Sequence, residues 1–365
     1  LAVRREVVAF FVFSIYSFFS FLSSPPTSLT LNLFFFNSLS SASSLSPRGL
    51  VATVPVPETS RPLVAIPEPL VLTPAAALFS LERSRVLRES SSIDALAGYS
   101  AAANDLMAPI SLVLAADALR IEAMRKEQQK SFEETGWEMS PWGAYTASLS
   151  PPPSSLGRDE GRDEGEEASS SSGCAGWFLS PEAREAALLR SFPSSSERNQ
   201  IKKMLDETLR VETEAAEATI EAAGLGKQEE KLFTPQLLLW ARSQICSRAF
   251  AAPSGGNNDD DDNGIVPALL PVIDLCNHSP GGGFPAWGVV SSKKSSSSSS
   301  SSGSGSGSGS SSSPSSSPPP PRLCWLRNAA PLSTGEELTT DYSRLCGSDG
   351  GAWMANYGFV PAEVK

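Results

Sequence analysis

Apolar positions fall in short alternating blocks towards both ends of the chain and recur at helical spacing in its middle. Gly49-Leu50-Val51-Ala52-Thr53 and Leu63-Val64-Ala65-Ile66-Pro67 predict two short strands separated by a turn, and Leu70-Val71-Leu72-Thr73 a third. Helices follow. Asn104 or Asp105 is placed to cap a helix from about Met107 to about Lys130, whose Ile110, Leu114, Ala118, Ile121 and Met124 line one face. Gly136 and Ser140-Pro141 break it. Ser180-Pro181-Glu182 opens another helix, with proline at the first helical position and an acid near the positive end. Ser194-x-x-Glu197 has capping-box spacing before a long charged helix that stops near Gly224 and Gly226. Thr234-Pro235 opens a last helix through about Ser247, so that residues 108–247 read as a mainly helical module. Beyond it, Ile265 to Asp274 is apolar, Ala286–Val290 and Leu323–Arg327 are spaced to pair, and Glu337–Tyr342 predicts a further strand.

Three tracts interrupt this pattern. Residues 151–172 carry a repeated Gly-Arg-Asp-Glu, 253–264 contain the run Asp259–Asp262, and 291–321 are almost wholly Ser, Gly and Pro. None holds enough apolar surface to offset the entropy of ordering it, so all three read as disordered, solvated loops. The aspartate run lacks the alternating ligands and terminal glutamate of a calcium loop. A long insert between paired strands costs little, because closure entropy grows only logarithmically with length.

Residues 1–47 differ from the rest. Arg4 and Arg5 precede an apolar run from Val7 to Leu22, then Ser/Pro-rich sequence, then a second run from Leu31 to Phe36, with no charge between Val7 and Pro47. The first run is shorter than the roughly 20 residues that span a bilayer, so no stable membrane insertion is expected. The pattern reads as a poorly structured targeting leader, compatible with a plastid; an anchor or a misassigned start are the alternatives, with cytoplasm or nucleus as the location if the leader is not real. An initial Leu rather than Met is what a sequence lacking its own beginning would show.

Composition narrows the chemistry. A net charge of −11 leaves no basic face to neutralise phosphates, which argues against nucleic acid as a partner. The 5 cysteines are far apart with no Cys-x-x-Cys pair, so no metal centre is expected and the thiols read as reduced. With His278 as the 1 histidine of the chain, no mechanism that needs a histidine pair can operate.

Two stretches carry the functional reading. One is Leu269-Leu270-Pro271-Val272-Ile273-Asp274-Leu275-Cys276-Asn277-His278-Ser279, with Asn277-His278 read as a turn. The other is Gly335-Glu336-Glu337-Leu338-Thr339-Thr340-Asp341-Tyr342-Ser343, followed by Asn356-Tyr357-Gly358-Phe359-Val360. In order and type these boxes resemble the SET-domain protein methyltransferases, and Pro-x-x-Asp-x-x-Asn-His-Ser with Tyr-Gly-Phe resembles the Rubisco large-subunit lysine methyltransferase branch. Three weaker likenesses lie upstream: Trp240-Ala241 through Ser247-Arg248-Ala249-Phe250, Ser140-Pro141-Trp142-Gly143-Ala144-Tyr145, and Arg48-Gly49-Leu50-Val51-Ala52-Thr53.

The resemblance implies an α+β fold, a β-rich SET domain of short twisted sheets with a pseudoknot-like crossing, interrupted by a helical insert. Residues 48–107 would form the first part of the SET domain, 108–247 the insert, 248–360 the second part and 361–365 a tail. It implies S-adenosylmethionine as cofactor, no metal, a lysine side chain of a protein as substrate, and a monomer. Tyr342 and Tyr357 take the catalytic positions at the methyl-transfer point. Cofactor contacts fall to Asp105 and Leu106 through backbone groups, to Arg248 at the donor's carboxylate, to Asn277, His278 and Tyr342, and to Phe359 as a cover. Asp274 is expected to fix the loop that presents Asn277, and Trp142 and Tyr145 to be packing residues. That branch continues into a helical substrate-binding domain, whereas this sequence ends at Lys365; substrate binding is then expected to fall to the middle helices, or the sequence to be truncated. A catalytically silent SET-fold binding module and a protein-histidine methyltransferase are the alternative functions.

Overall fold

The structure is a computed structural model, which describes residues 33–35, 50–52, 55, 64–87, 89–125, 138–149, 152, 174–225, 232–253, 264–289, 322–326 and 331–364. The loops expected over 151–172, 253–264 and 291–321 lie outside the described residues apart from Pro152, Pro253, Gly264 and nothing else. Of residues 1–47, only Leu33–Phe35 is described, as strand β1.

Side-chain caps start the helices where the sequence places them. Ser180 Oγ accepts the Ala183 N–H ahead of Pro181–Ser191 (α5), and Ser194 Oγ accepts the Glu197 N–H ahead of Ser195–Ala222 (α6). Thr234 Oγ1 does the same for Leu237 at the head of Pro235–Arg248 (α7). Each cap satisfies one of the amide protons that a helix start leaves without an intrahelical acceptor. Upstream lie Pro74–Arg83 (α1), Ser90–Ala102 (α2), Ala108–Arg125 (α3) and Gly143–Ser148 (α4).

The third predicted strand, Leu70–Thr73, does not form as such. Glu68–Leu70 is a turn of 3-10 helix, Leu72 makes a single bridge to Leu269, and Thr73 caps α1 through a bond from the Ala76 N–H at 3.2 Å. Pro74 is the reason, since its fixed φ and missing N–H favour the first turn of a helix. Asp105 does not serve as a side-chain cap of α3: its carboxylate takes Arg242 at 2.9 Å and the hydroxyl of Tyr99 at 3.3 Å. Nor is α3 apolar on one face alone. Ile110, Leu112, Val113, Leu114 and Ala115 are all buried, because α1, α4 and α7 pack around it, while Met124 at its far end is exposed.

The strands form three small sheets. In the first, β1, Leu50–Ala52 (β2), Glu337–Thr340 (β9) and Asn277–Gly283 (β6) lie side by side in that order. In the second, Val64–Pro67 (β3) pairs with Arg322–Leu326 (β8), which pairs with Ala286–Val289 (β7) across the Ser/Gly tract. Phe250–Pro253 (β4) and Ile265–Ala268 (β5) make the third. The two N-terminal strands read as neighbours thus belong to different sheets.

One pairing sets up everything that follows. β6 and β9 run parallel, with Asn277 opposite Thr339 and His278 opposite Thr340. The Asn-His segment is therefore a strand and not a turn, because the edge of β9 offers it backbone partners. β6 then bulges so that Gly283 also faces Thr340. A Cβ on Gly282 would sit 2.8 Å from a backbone carbon of Thr340, so only glycine fits this close approach.

Candidate active site

Immediately after β9 the chain turns inward over β6. The Asp341 N–H donates to the Gly283 carbonyl at 3.0 Å, and the next N–H, that of Tyr342, donates to Nδ1 of His278 at 3.1 Å. A ring nitrogen that accepts carries no proton, so the neutral imidazole has its proton on Nε2, facing Glu363 Oε1 at 3.0 Å. Both ring nitrogens are therefore held by the protein.

Tyr342 is 9% exposed, and its hydroxyl donates to the carbonyl of Cys276 at 2.5 Å. Its ring stacks on Tyr357 with centroids 4.8 Å apart and planes 16° from parallel, and on His278 at 5.6 Å. Trp353 fills the space behind, 4.6 Å from His278 and 5.3 Å from Tyr357. Burial pushes the Tyr342 phenol up to about 12, and burial raises Tyr357 further still. Both are neutral hydroxyls at physiological pH.

The helix Gly350–Tyr357 (α8) places Tyr357, and Trp353 one turn earlier shares its face. Asp349 caps the start by accepting the Gly351 N–H at 2.8 Å. Gly358 ends the helix at φ 72°, a left-handed conformation that explains glycine within Tyr-Gly-Phe. The chain then delivers Phe359, 43% exposed, beside Trp353 and Tyr357.

A polar network backs the loop before β6. Val272 at φ 80° and ψ −50° is a strained position for a β-branched residue, and it turns the chain into the 3-10 segment Ile273–Leu275. Within that turn the Asp274 carboxylate accepts the hydroxyl of Tyr145 from α4. Arg248, at the end of α7, donates from Nη1 to the Asp274 carbonyl at 3.4 Å and from Nε to Gln244 at 3.2 Å. Its Nη2 has no hydrogen-bond partner among the described residues. Asn277 donates across the parallel pair to Glu337.

Tyr342, Tyr357, His278, Asn277, Asp274, Arg248 and Phe359 thus gather in one region. Asp105 and Leu106 do not join it by any hydrogen bond or ring contact among the described residues. The Asp105 backbone is engaged in its own turn, donating to Ser100 O at 2.9 Å and accepting from Ser100 Oγ at 2.8 Å. Its carboxylate, with Glu212, holds the buried Arg242 between helices α6 and α7. Glu337 and Trp353 join the region although the sequence does not single them out for it, and Tyr145, expected only to pack, also donates a hydrogen bond. The helical spacing of Trp353 to Tyr357 was a usable signal; nothing local points from Tyr145 to Asp274.

No protein-family model matches the sequence, and no curated protein matches it. In shape the chain is similar to a solved structure, "Crystal structure of the SET domain of LSMT bound to Lysine and AdoHcy", with a TM-score of 0.51 and 15% identical residues. The match covers 98% of this chain and 58% of that one, so this chain spans less than two thirds of that protein's length. At this level of identity the likeness speaks to architecture, and with the mixed helices and small sheets described above it identifies the fold of this chain as the SET fold.

Proposed function

We propose that the protein is an S-adenosylmethionine-dependent protein-lysine N-methyltransferase of the Rubisco-methyltransferase type. The observation that carries this reading is the parallel pairing of β6 with β9, which sets the Tyr342 phenol against the Cys276 carbonyl and beside Asn277 and His278. The solved SET domain that this chain resembles binds lysine and AdoHcy, the demethylated form of the proposed donor.

The donor set suits such a cofactor. Arg248, with Nη2 free of protein partners among the described residues, is placed to take a carboxylate, for which a planar guanidinium is the matched shape. Asn277 and the backbone of His278 offer polar contacts, and the exposed ring of Phe359 offers an apolar surface. When bound, S-adenosylmethionine supplies an electrophilic methyl group on a cationic sulfur. The protein's part is to orient and to exclude water. The oxygens of Tyr342 and Cys276 would offer negative dipole ends to that positive charge. The stacked Tyr342 and Tyr357 rings form an aromatic wall suited to an alkylammonium. A lysine entering this dry, already cationic site loses its proton more readily, because burial and like charge both disfavour the ammonium. Alignment of the neutral amine then supplies much of the rate.

Isothermal titration of S-adenosylmethionine into the purified chain, with mass spectrometry of methylated lysines after incubation in cell extract, tests the reading. Saturable binding and donor-dependent lysine methylation are expected. No detectable binding would remove it.

A further inference from the structure

Asp274 Oδ2 has two claimants. It accepts the hydroxyl of Tyr145, and the same oxygen lies 3.9 Å from Nη1 of Arg248, too far for a hydrogen bond. All three residues are buried, Tyr145 at 2%, Asp274 at 4% and Arg248 at 7% exposure. In so dry a setting a guanidinium and a carboxylate attract strongly and close into a short paired contact. Here they have not closed. Arg248 instead touches the Asp274 backbone carbonyl at 3.4 Å and leans on Gln244. The tyrosine hydroxyl occupies the same carboxylate oxygen that faces the guanidinium. Burial, and next the charge of Asp274, hold the Tyr145 phenol well above its ordinary pKa, so it donates at every working pH. Its ring is fixed in place because α4 is anchored on both sides: Thr146 bonds Asp117 of α3, and the Trp142 indole bonds the Leu70 carbonyl at 2.9 Å.

We propose that Tyr145 is a positioning residue which, by occupying Asp274 Oδ2, keeps Arg248 from collapsing onto that carboxylate and so leaves it available to the carboxylate of the methyl donor. The inference rests on the assignment of Arg248 to the donor made above and deepens it. The helical insert, through one hydroxyl, sets the electrostatics of the cofactor end of the site.

The test is Tyr145→Phe in the full chain, which keeps the ring and removes the hydroxyl. With thermal melting to verify that the variant is folded, titration with S-adenosylmethionine should show a Kd raised about tenfold, the scale of one lost charge-oriented contact. In turnover assays the donor KM should rise while kcat at saturating donor is retained. In an Asp274→Asn background, where no carboxylate competes for Arg248, Tyr145→Phe should have no further effect. A folded Tyr145→Phe that binds the donor as tightly as the unaltered chain overturns this proposal alone. So does a fall in kcat with unchanged Kd, or an equal loss in the Asp274→Asn background, since each marks a merely structural role. If Asp274→Asn does not fold, the KM-against-kcat split of the single variant decides. Failure of the unaltered chain to bind the donor overturns the donor site itself, and this proposal with it.

Discussion

The backbone N–H of Tyr342 donates to Nδ1 of His278 across 3.1 Å, although the two residues stand 64 positions apart. The bond ties the turn after β9, which carries the phenol, to the strand that carries the imidazole, and it fixes the tautomer of the ring. His278 is thereby a structural bracket through its side chain. The cluster of Tyr342, Tyr357, Trp353 and Phe359 is built around that bracket.

Tyr342→Phe should lower turnover about 10²–10³-fold, the usual effect of deleting one dipole aimed at a reacting centre, while donor affinity stays nearly unchanged. The loss of its bond to the Cys276 carbonyl should cost about 1 kcal/mol of stability. Single-turnover kinetics beside calorimetric titration separate the two effects. Unaltered turnover would show that the phenol is not catalytic.

Asn277→Ala should weaken donor binding by about tenfold, as expected for one polar contact at the site. It also deletes the cross-strand bond to Glu337, so a small fall in melting temperature should accompany it. Glu337→Gln keeps a side-chain acceptor for the Asn277 amide and should bind donor more tightly than Asn277→Ala does. An unchanged Kd in Asn277→Ala would remove this residue from the donor site.

Asp117 gives the fold a pH dependence of defined sign. Burial pushes its carboxyl up to about 6, against the hydrogen bonds it accepts from Ser140 and Thr146. Between about pH 4 and about pH 6 the folded chain therefore holds a proton that the unfolded chain has released. Stability from this group is fully present below that window and is lost as pH rises through it. Melting temperatures across the window should fall less steeply for Asp117→Asn than for the unaltered chain. Identical slopes would mean that the carboxyl titrates normally.

Gly358→Ala should destabilise the chain by about 1–2 kcal/mol, the strain of a left-handed residue with a side chain. Its Cβ would also stand 3.1 Å from the Cys174 carbonyl, and shifting it would displace Phe359. Denaturant melts measure the first effect and donor titration the second. A variant as stable as the unaltered chain would show that the helix end relaxes freely.

Read without coordinates, the chain discloses what its neighbours along the sequence can settle. Thr234-Pro235, Ser180-Pro181 and Ser194-x-x-Glu197 name their helices because a cap acts within three residues. Thr73-Pro74 carries the same signal as Thr234-Pro235 and was masked by the apolar run before it; α2, with no side-chain cap, carries no comparable start signal. The motif boxes, their order and the pairing of β7 with β8 were legible too. Only the tertiary structure decided that β6 runs parallel to β9, that β2 and β3 part into different sheets, that Asp105 belongs to Arg242, and that Tyr145 reaches Asp274. These are contacts between residues far apart along the chain, 60 positions for Asn277 and Glu337 and 288 for Leu50 and Leu338. Such partners are chosen by competition among all buried polar groups and strand edges at once, and no stretch of sequence holds that competition within itself.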